Sequence, residues 1–525
     1  MRILPFFTAL FLLPLLMSAQ EKKPNILYIM SDDHTSQAIG VYGSRLKALN
    51  PTPNLDKLAN EGVLLTNTFC TNSICTPSRA TILTGQYSQT NGVLDLEGRI
   101  AEDQQYLPKE IKKLGYQTAI VGKWHLKEEP GAFDYYKVLP VQGKYFDPVF
   151  RERGDKAWPK NTVKYKGHSS DIVTNISIEW LDKGWNKEQP FFLMHHFKAP
   201  HDFFEFAPRY KDYLEDVEIP EPSSLYDNEN NGSIATYGED GKLRNYIGSS
   251  ISKRNVTRDM GRDLKIDQSL SDKEYTHASY QEYLKRYLRC VKGVDDNIKR
   301  LLDHLDKIGE LDNTIIVYTS DQGMMLGEHD YQDKRWMYEE SMRMPFIAHF
   351  PKNFKQGIKV DAIINNTDFA PTLIDLAGGK TPKYMHGESF KSILETGKEP
   401  KKWRKSTYYR YWMHMAHKHG NPAHFGVRTK DYKLIFFYSR HFDPNKNPKA
   451  WGADYNFEGP IAWEFYDLSK DPHEMNNAYD DPKYSKVIAD LKKEIKKLRK
   501  KYNEEDGNYP KLQKIIDEHW DDKAL

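Results

Sequence analysis

The sequence predicts an α/β layer fold on a mainly parallel sheet, followed by a smaller C-terminal subdomain with a short antiparallel sheet. Three observations carry this. Short, mostly apolar runs recur at residues 24–30, 117–122, 190–195 and 314–319, as fully buried strands of a parallel sheet do. Helical patterns lie between them, for example at 107–114, and strands alternating with helices point to parallel crossovers. Near Pro400 the texture changes, and residues 408–412, 425–438 and 463–468 read as antiparallel strands separated by turn residues.

Taken in order, the chain opens on Arg2, an apolar run over 3–17 and the small-residue exit Ser18-Ala19-Gln20. That pattern predicts a signal peptide over 1–19, cleaved after Ala19, and an exported chain, periplasmic or secreted. The alternative is an uncleaved N-terminal anchor. The run is short for a bilayer span and holds Pro5 and Pro14, and no Cys near the exit offers a lipid anchor, so no stable membrane anchor is expected. A catalytic domain over 20–400 and a C-terminal subdomain over 401–525 follow. The longest helix is expected at 273–308, where Tyr280, Tyr283, Tyr287, Val291, Val294, Ile298, Leu301 and Leu305 recur at three- and four-residue steps. Ser271 and Glu274 form a capping box at its start, and Gly309 follows its end. Residues 220–270 lack apolar periodicity and read as a long loop over the core or a disordered linker. Asp431 and Tyr432 fit a tight turn inside the 425–438 run. An amphipathic helix over 483–502 presents Ile488, Leu491, Ile495 and Leu498 on one side, its lysines forming a solvated face.

Composition excludes several classes. The chain of 525 residues carries 76 Lys+Arg against 74 Asp+Glu, a balance that argues against binding nucleic acid through its phosphates. Three Cys exclude a disulfide scaffold and a multi-Cys zinc framework. Aromatic residues at 13% supply a sizeable core and are compatible with carbohydrate binding.

The most specific local signal is Cys75-Thr76-Pro77-Ser78-Arg79, continuing to Leu83-Thr84-Gly85. A Cys-x-Pro-x-basic match arises by chance in about one such chain in forty. Pro77 fits the first turn of a helix, which places residue 75 at a positive helix end suited to an anion. A plain thiol there, bonded to Cys70, is the ordinary alternative. Asp32 and Asp33 follow one buried run, and Asp321 and Gln322 follow another. Carboxylates at strand ends are where such sheets build sites, although an Asp-Asp pair alone more often makes a turn or a helix cap. Lys123 and His125 alternate along a strand end and are expected to share a face.

These pieces resemble the formylglycine-dependent sulfatases (type I sulfatases) of the alkaline-phosphatase superfamily, of the secreted bacterial polysaccharide type. The resemblance spans nearly the whole mature chain. It also includes Ala199-Pro200-His201, Thr319-Ser320-Asp321-Gln322-Gly323, Lys334, Asp368-Phe369-Ala370-Pro371-Thr372 and Tyr466-Asp467-Leu468. It implies an alkaline-phosphatase-like sandwich and conversion of Cys75 to formylglycine (3-oxoalanine) by a formylglycine-generating maturation enzyme. One hydroxyl of the aldehyde hydrate would attack sulfur and the other would later expel sulfate. By the same resemblance Asp32, Asp33, Asp321, Gln322 and residue 75 would hold a hard cation, calcium first and magnesium second. Gln322 departs from the family's more frequent Asn and keeps the amide oxygen on a longer stem. Lys123 and Lys334 would clamp the sulfate and Arg79 would orient residue 75. His125 would deprotonate the second hydroxyl, and His201 would protonate the leaving alcohol.

On the substrate side, Arg410, His414 and His424, with His417 and His419 between them, are expected on a substrate-facing loop; a polar surface loop is the alternative. The expected substrate is a sulfated carbohydrate, with ulvan-like algal polymers and glycosaminoglycans both open. A phosphoester or phosphonate hydrolase of the same superfamily, and a non-catalytic carbohydrate-binding relative, are the competing functions.

Overall fold

The computed structural model describes residues 22–226, 231–442 and 457–522; the expected signal peptide lies outside them. Among the described residues the main sheet has eleven strands. Its centre is the strand Asn25–Ser31, which pairs in parallel with Phe191–His196 on one side and Thr314–Ser320 on the other. Gln117–Lys123 continues the parallel set beyond Phe191–His196. Arg343–His349 runs antiparallel between Thr314–Ser320 and Val63–Phe69, so the sheet is mixed but mainly parallel. Period-2 alternation explains why the central run is apolar throughout. Ile26, Tyr28 and Met30 enter the core on one face, with Ile82 and Leu83 of the helix Cys75–Thr84. Leu27 and Ile29 enter the other, against Tyr283, Tyr287, Val291 and Ile298 of the long helix.

That helix runs Asp272–Lys307 and starts with the reciprocal Ser271–Glu274 capping box. Gly293 does not interrupt it; a Cβ there would meet the Tyr210 ring at 3.2 Å, so glycine admits that ring. Within the stretch expected as a loop, residues 220–226 and 231–270 are mostly irregular and pack on the core around the short helices Ile234–Tyr237 and Met260–Asp263. The second sheet is antiparallel, in the order Ser406–Tyr411, His424–Thr429, Tyr432–Phe437, Ala462–Asp467, with the turn between the second and third strands at 430–431. Its outer face carries Phe425, Phe436 and Trp463 against Ile488, Leu491, Ile495 and Leu498 of the helix Ser485–Lys501. The sheet docks behind the helix Cys75–Thr84: Arg410 N–H donates to the Thr71 carbonyl at 2.9 Å, and the Tyr409 hydroxyl accepts from Ser73 N–H at 3.3 Å.

Candidate active site

Parallel register brings the ends of the central strands level. Ser31 lies opposite Ser320, so Asp32-Asp33 and Asp321-Gln322 leave the sheet side by side. Met30 and Gly122 both face His196, which brings Lys123 to the same edge. Gly122 is required there: its φ is +101°, and a Cβ would sit 1.8 Å from the His196 carbonyl oxygen. The helix Cys75–Thr84 points its N-terminus at this edge and ends at Gly85, φ +67°.

Cys75 Sγ lies 3.2 Å from Asp32 Oδ1, 3.5 Å from Gln322 Nε2 and 4.0 Å from Lys123 Nζ. Lys123 also contacts Asp32 Oδ2 and Gln142 Oε1. Arg79 binds Asp321 through Nε (3.0 Å) and Nη2 (2.9 Å) and donates to the Lys123 carbonyl at 2.8 Å, tying helix, strand and acid together. Lys334 Nζ meets Asp33 Oδ2 at 2.6 Å, and His201 Nε2 lies 3.7 Å from the same oxygen. Thr76 Oγ1 donates to the His125 carbonyl at 3.1 Å. Lys123 and His125 do not reach the site as alternate residues of one strand. The strand stops at Lys123, and His125 turns back with φ +59°.

Every group in the cluster is buried, so neighbouring charges act at short range in a poorly screened setting. Burial alone would raise Asp32; the positive charges of Lys123, His201, Arg79 and Lys334 overcome it and hold the carboxyl well below the usual range. Burial and the charge of Asp32 push Asp321 up to about 8. Burial, Lys123 and Arg79 keep His125 neutral, far below the ordinary imidazole value. Burial and Asp32 drive the Cys75 thiol well above its ordinary value, so as a plain thiol it is a poor nucleophile. Asp32, Asp33 and Asp321 bring carboxylate oxygens within 4.8 Å of one another, and Gln322 Oε1 is buried without a hydrogen-bond partner. Three carboxylates and an unused amide oxygen are an all-oxygen set, which fits a hard divalent cation.

A family profile described as "Sulfatase" matches residues 24–379. The chain belongs to the sulfatase family. A second profile, "N-sulphoglucosamine sulphohydrolase, C-terminal", matches residues 327–501. The chain is 39% identical over 521 residues to an N-acetylglucosamine-6-O-sulfatase of Bacteroides thetaiotaomicron, covering 93% of this chain and 88% of the relative. It is 28% identical over 491 residues to an ulvan-active sulfatase of Formosa agariphila, covering 90% of this chain and 81% of that one. A solved structure described as a complex with "its substrate D-Glucosamine-2-N, 6-O-disulfate" superposes with a TM-score of 0.78 at 38% identity, covering 92% of this chain and 99% of that one. This sulfatase is therefore a sulfuric ester hydrolase of the alkaline-phosphatase-like fold.

The structure does not bring three of the expected residues to the cluster. Arg410 is 1% exposed, pairs with Asp506 at 2.7 Å and stacks on Trp412 at 3.5 Å. His414 bridges Ala423 N–H and the Phe457 carbonyl, and His424 stacks on Tyr409 and Trp336. Arg410 and His424 stand in strands rather than in a loop, and all three are packing residues. The same stretch does reach the site through its middle. His419 lies 3.0 Å from Asp333 Oδ2, and His417 lies 3.1 Å from Arg335 Nη2. Asp333 and Arg335 pair at 2.7 Å and flank Lys334, with positive φ at both. Sequence reasoning passed over these two, although they adjoin a residue it named. It also passed over Lys198, whose ammonium sits 4.7 Å from the Tyr145 ring centroid and is pushed down to about 8 by burial and Lys123. Cys70, Cys75 and Cys290 are free thiols.

Proposed function

We propose that this sulfatase removes the 6-O-sulfate from a glucosamine residue of a glycosaminoglycan-type saccharide. The observation that carries the reading is the joint arrangement of Cys75, three carboxylates, Lys123, Lys334, His125 and His201, in a chain 39% identical to a protein named for N-acetylglucosamine-6-O-sulfate. Residue 75 as formylglycine would supply the hydrate hydroxyl that attacks sulfur. A calcium ion on Asp32, Asp33, Asp321 and Gln322 would lower that hydroxyl's pKa and offset sulfate charge. With those carboxylates so engaged, Lys123 and Lys334 are free to hold sulfate oxygens. Arg79 fixes Asp321 and the end of the Lys123 strand. Neutral His125 accepts the proton of the second hydroxyl, and His201 gives one to the departing sugar oxygen. Asp333, Arg335, His417 and His419 offer donors and acceptors for the sugar hydroxyls beside Lys334.

The test has two arms. Mass spectrometry of the Cys75 peptide, from cells with a working maturation enzyme, should show formylglycine. Sulfate release should be faster from N-acetylglucosamine-6-sulfate or glucosamine-2-N,6-O-disulfate than from sulfated ulvan oligosaccharides. An unconverted Cys75 alongside a converted control, or preference for ulvan, overturns the reading. Export is part of the proposal. Among the described residues no helix is long and apolar enough to cross a membrane, and N-terminal sequencing should find the mature chain starting at Gln20.

A further inference from the structure

His201 carries a partner that the proposed chemistry does not yet use. Its Nδ1 lies 2.5 Å from Asp202 Oδ1 and 2.9 Å from the Asp202 backbone carbonyl, while Nε2 faces the cluster, 3.7 Å from Asp33 Oδ2. Asp202 is held in turn. Arg258 Nη2 donates to its other oxygen at 3.2 Å, and its carboxyl lies well below the usual range because the charges of His201, Lys334 and Arg258 outweigh burial. Arg258 comes from the irregular segment over the core and is itself fixed. Its N–H donates to Asn255 Oδ1 at 3.1 Å, and its carbonyl accepts from Ser250 N–H at 3.2 Å. The Tyr145 hydroxyl donates to the His201 carbonyl and pins the backbone.

We propose that Asp202, anchored by Arg258, is a positioning residue for leaving-group protonation. It holds the His201 ring so that Nε2, and not Nδ1, meets the bridging oxygen of the sulfate ester. A bond to one ring nitrogen decides which nitrogen is presented to a reaction, and a side chain locked on both sides keeps its aim. As the bond from sulfur to the sugar oxygen breaks, its electron pair stays on that oxygen, which takes the Nε2 proton. The new bond to sulfur comes from the nucleophile at residue 75. This inference rests on the function proposed above. It predicts that Asp202 matters in proportion to the leaving group's need for a proton: a sugar alkoxide is a strong base, whereas 4-nitrophenolate departs without help.

The experiment compares wild type, Asp202→Ala, Asp202→Asn, Asp202→Glu and Arg258→Met as full-length, matured enzymes with matched formylglycine content. The probes are glucosamine-6-sulfate and 4-nitrophenyl sulfate. Asp202→Ala should lower kcat on the sugar ester by about 10²-fold with KM within about threefold, while the aryl ester loses less than about fivefold. Asp202→Glu should recover much of the loss, and Arg258→Met should show a smaller loss with the same split. Should the alanine variant fail to fold, the isosteric asparagine reads the same split. Should the aryl ester be refused, the loss of kcat at unchanged KM with rescue by glutamate decides. Equal losses on both esters, a change in KM alone, or full activity of the alanine variant overturns the proposal. Wild type that releases no sulfate from the sugar overturns the parent reading, and this one with it.

Discussion

Two buried charge clusters in this sulfatase lie close in the fold and differ in what they leave unfinished. Around Asp506 the groups close on one another: Arg410 meets one oxygen at 2.7 Å, Arg499 meets the other at 2.5 Å, and Trp412 covers the Arg410 guanidinium. Around Cys75 the cations are also paired with carboxylates, yet three carboxylates crowd within 4.8 Å of one another, where the Asp506 cluster sets two guanidiniums about one carboxylate. A closed cluster holds two elements together. An open one keeps donors and acceptors for something that arrives later, at a cost in stability. Richness in Arg and His therefore says little about chemistry until the partners are counted.

The largest effect should come from the open cluster. Cys75→Ala removes the atom on which the nucleophile would be made, so sulfate release should fall by more than about 10⁴-fold. The melting temperature should stay within a few degrees, because only one small side chain is lost. Arg410→Met should do the reverse. Removing one partner of a buried pair costs about 3–5 kcal/mol, so the denaturation midpoint should drop while sulfate release per folded molecule holds. An Arg410→Met enzyme with normal stability and lost activity would restore the guanidinium to the substrate.

Chelation separates the clusters in the same way, with a smaller effect on stability. Dialysis against EDTA should abolish sulfate release, and added calcium should restore it. Calcium at a hundredfold excess over its Kd should stabilise the protein by about 2.7 kcal/mol. The same calcium step measured on Asp321→Asn should be small. A calcium shift of equal size in that variant would place the ion elsewhere.

What the sequence made legible follows from how locally each residue is placed. The helix Cys75–Thr84 and the pairs Asp32-Asp33 and Asp321-Gln322 belong to single strand ends or helix starts, so short motifs specify them. Lys123 and His125 were expected together by strand alternation. They are assembled instead by a backbone reversal at His125, which residue patterns do not announce. Arg258 and Arg335 arrive on irregular segments, and Asp333 on the two-residue strand Gln332–Asp333, whose path depends on tertiary packing. Arg410 failed for the opposite reason, because strand period is strict. It shares the Tyr408 and Trp412 face, which packs under the C-terminal helices, whereas His424 shares the Tyr409 and Tyr411 face. A polar residue in an apolar alternation is pulled inside with its neighbours unless the strand edge frees it.

Glu464 sharpens the comparison, since it is buried with neutral donors and neither cluster's cations reach it by hydrogen bond. Its carboxyl accepts from Ser233 Oγ at 2.8 Å, Tyr466 OH at 2.8 Å and Tyr338 OH at 3.0 Å, joining the C-terminal sheet to the catalytic part. Burial pushes it up to about 7 from an ordinary value of 4.5. The native state therefore holds the proton more tightly than the unfolded chain. Below pH 4.5 both states are protonated and nothing is lost. Between there and pH 7 the unfolded chain ionises first, so stability falls as pH rises, by on the order of 3 kcal/mol in total. Glu464→Gln removes the titration. Its melting temperature relative to wild type should rise from pH 5 to pH 8, with sulfate release at pH 7 changed little. A difference that stays flat with pH would mean that the three hydroxyls hold a carboxylate rather than an acid.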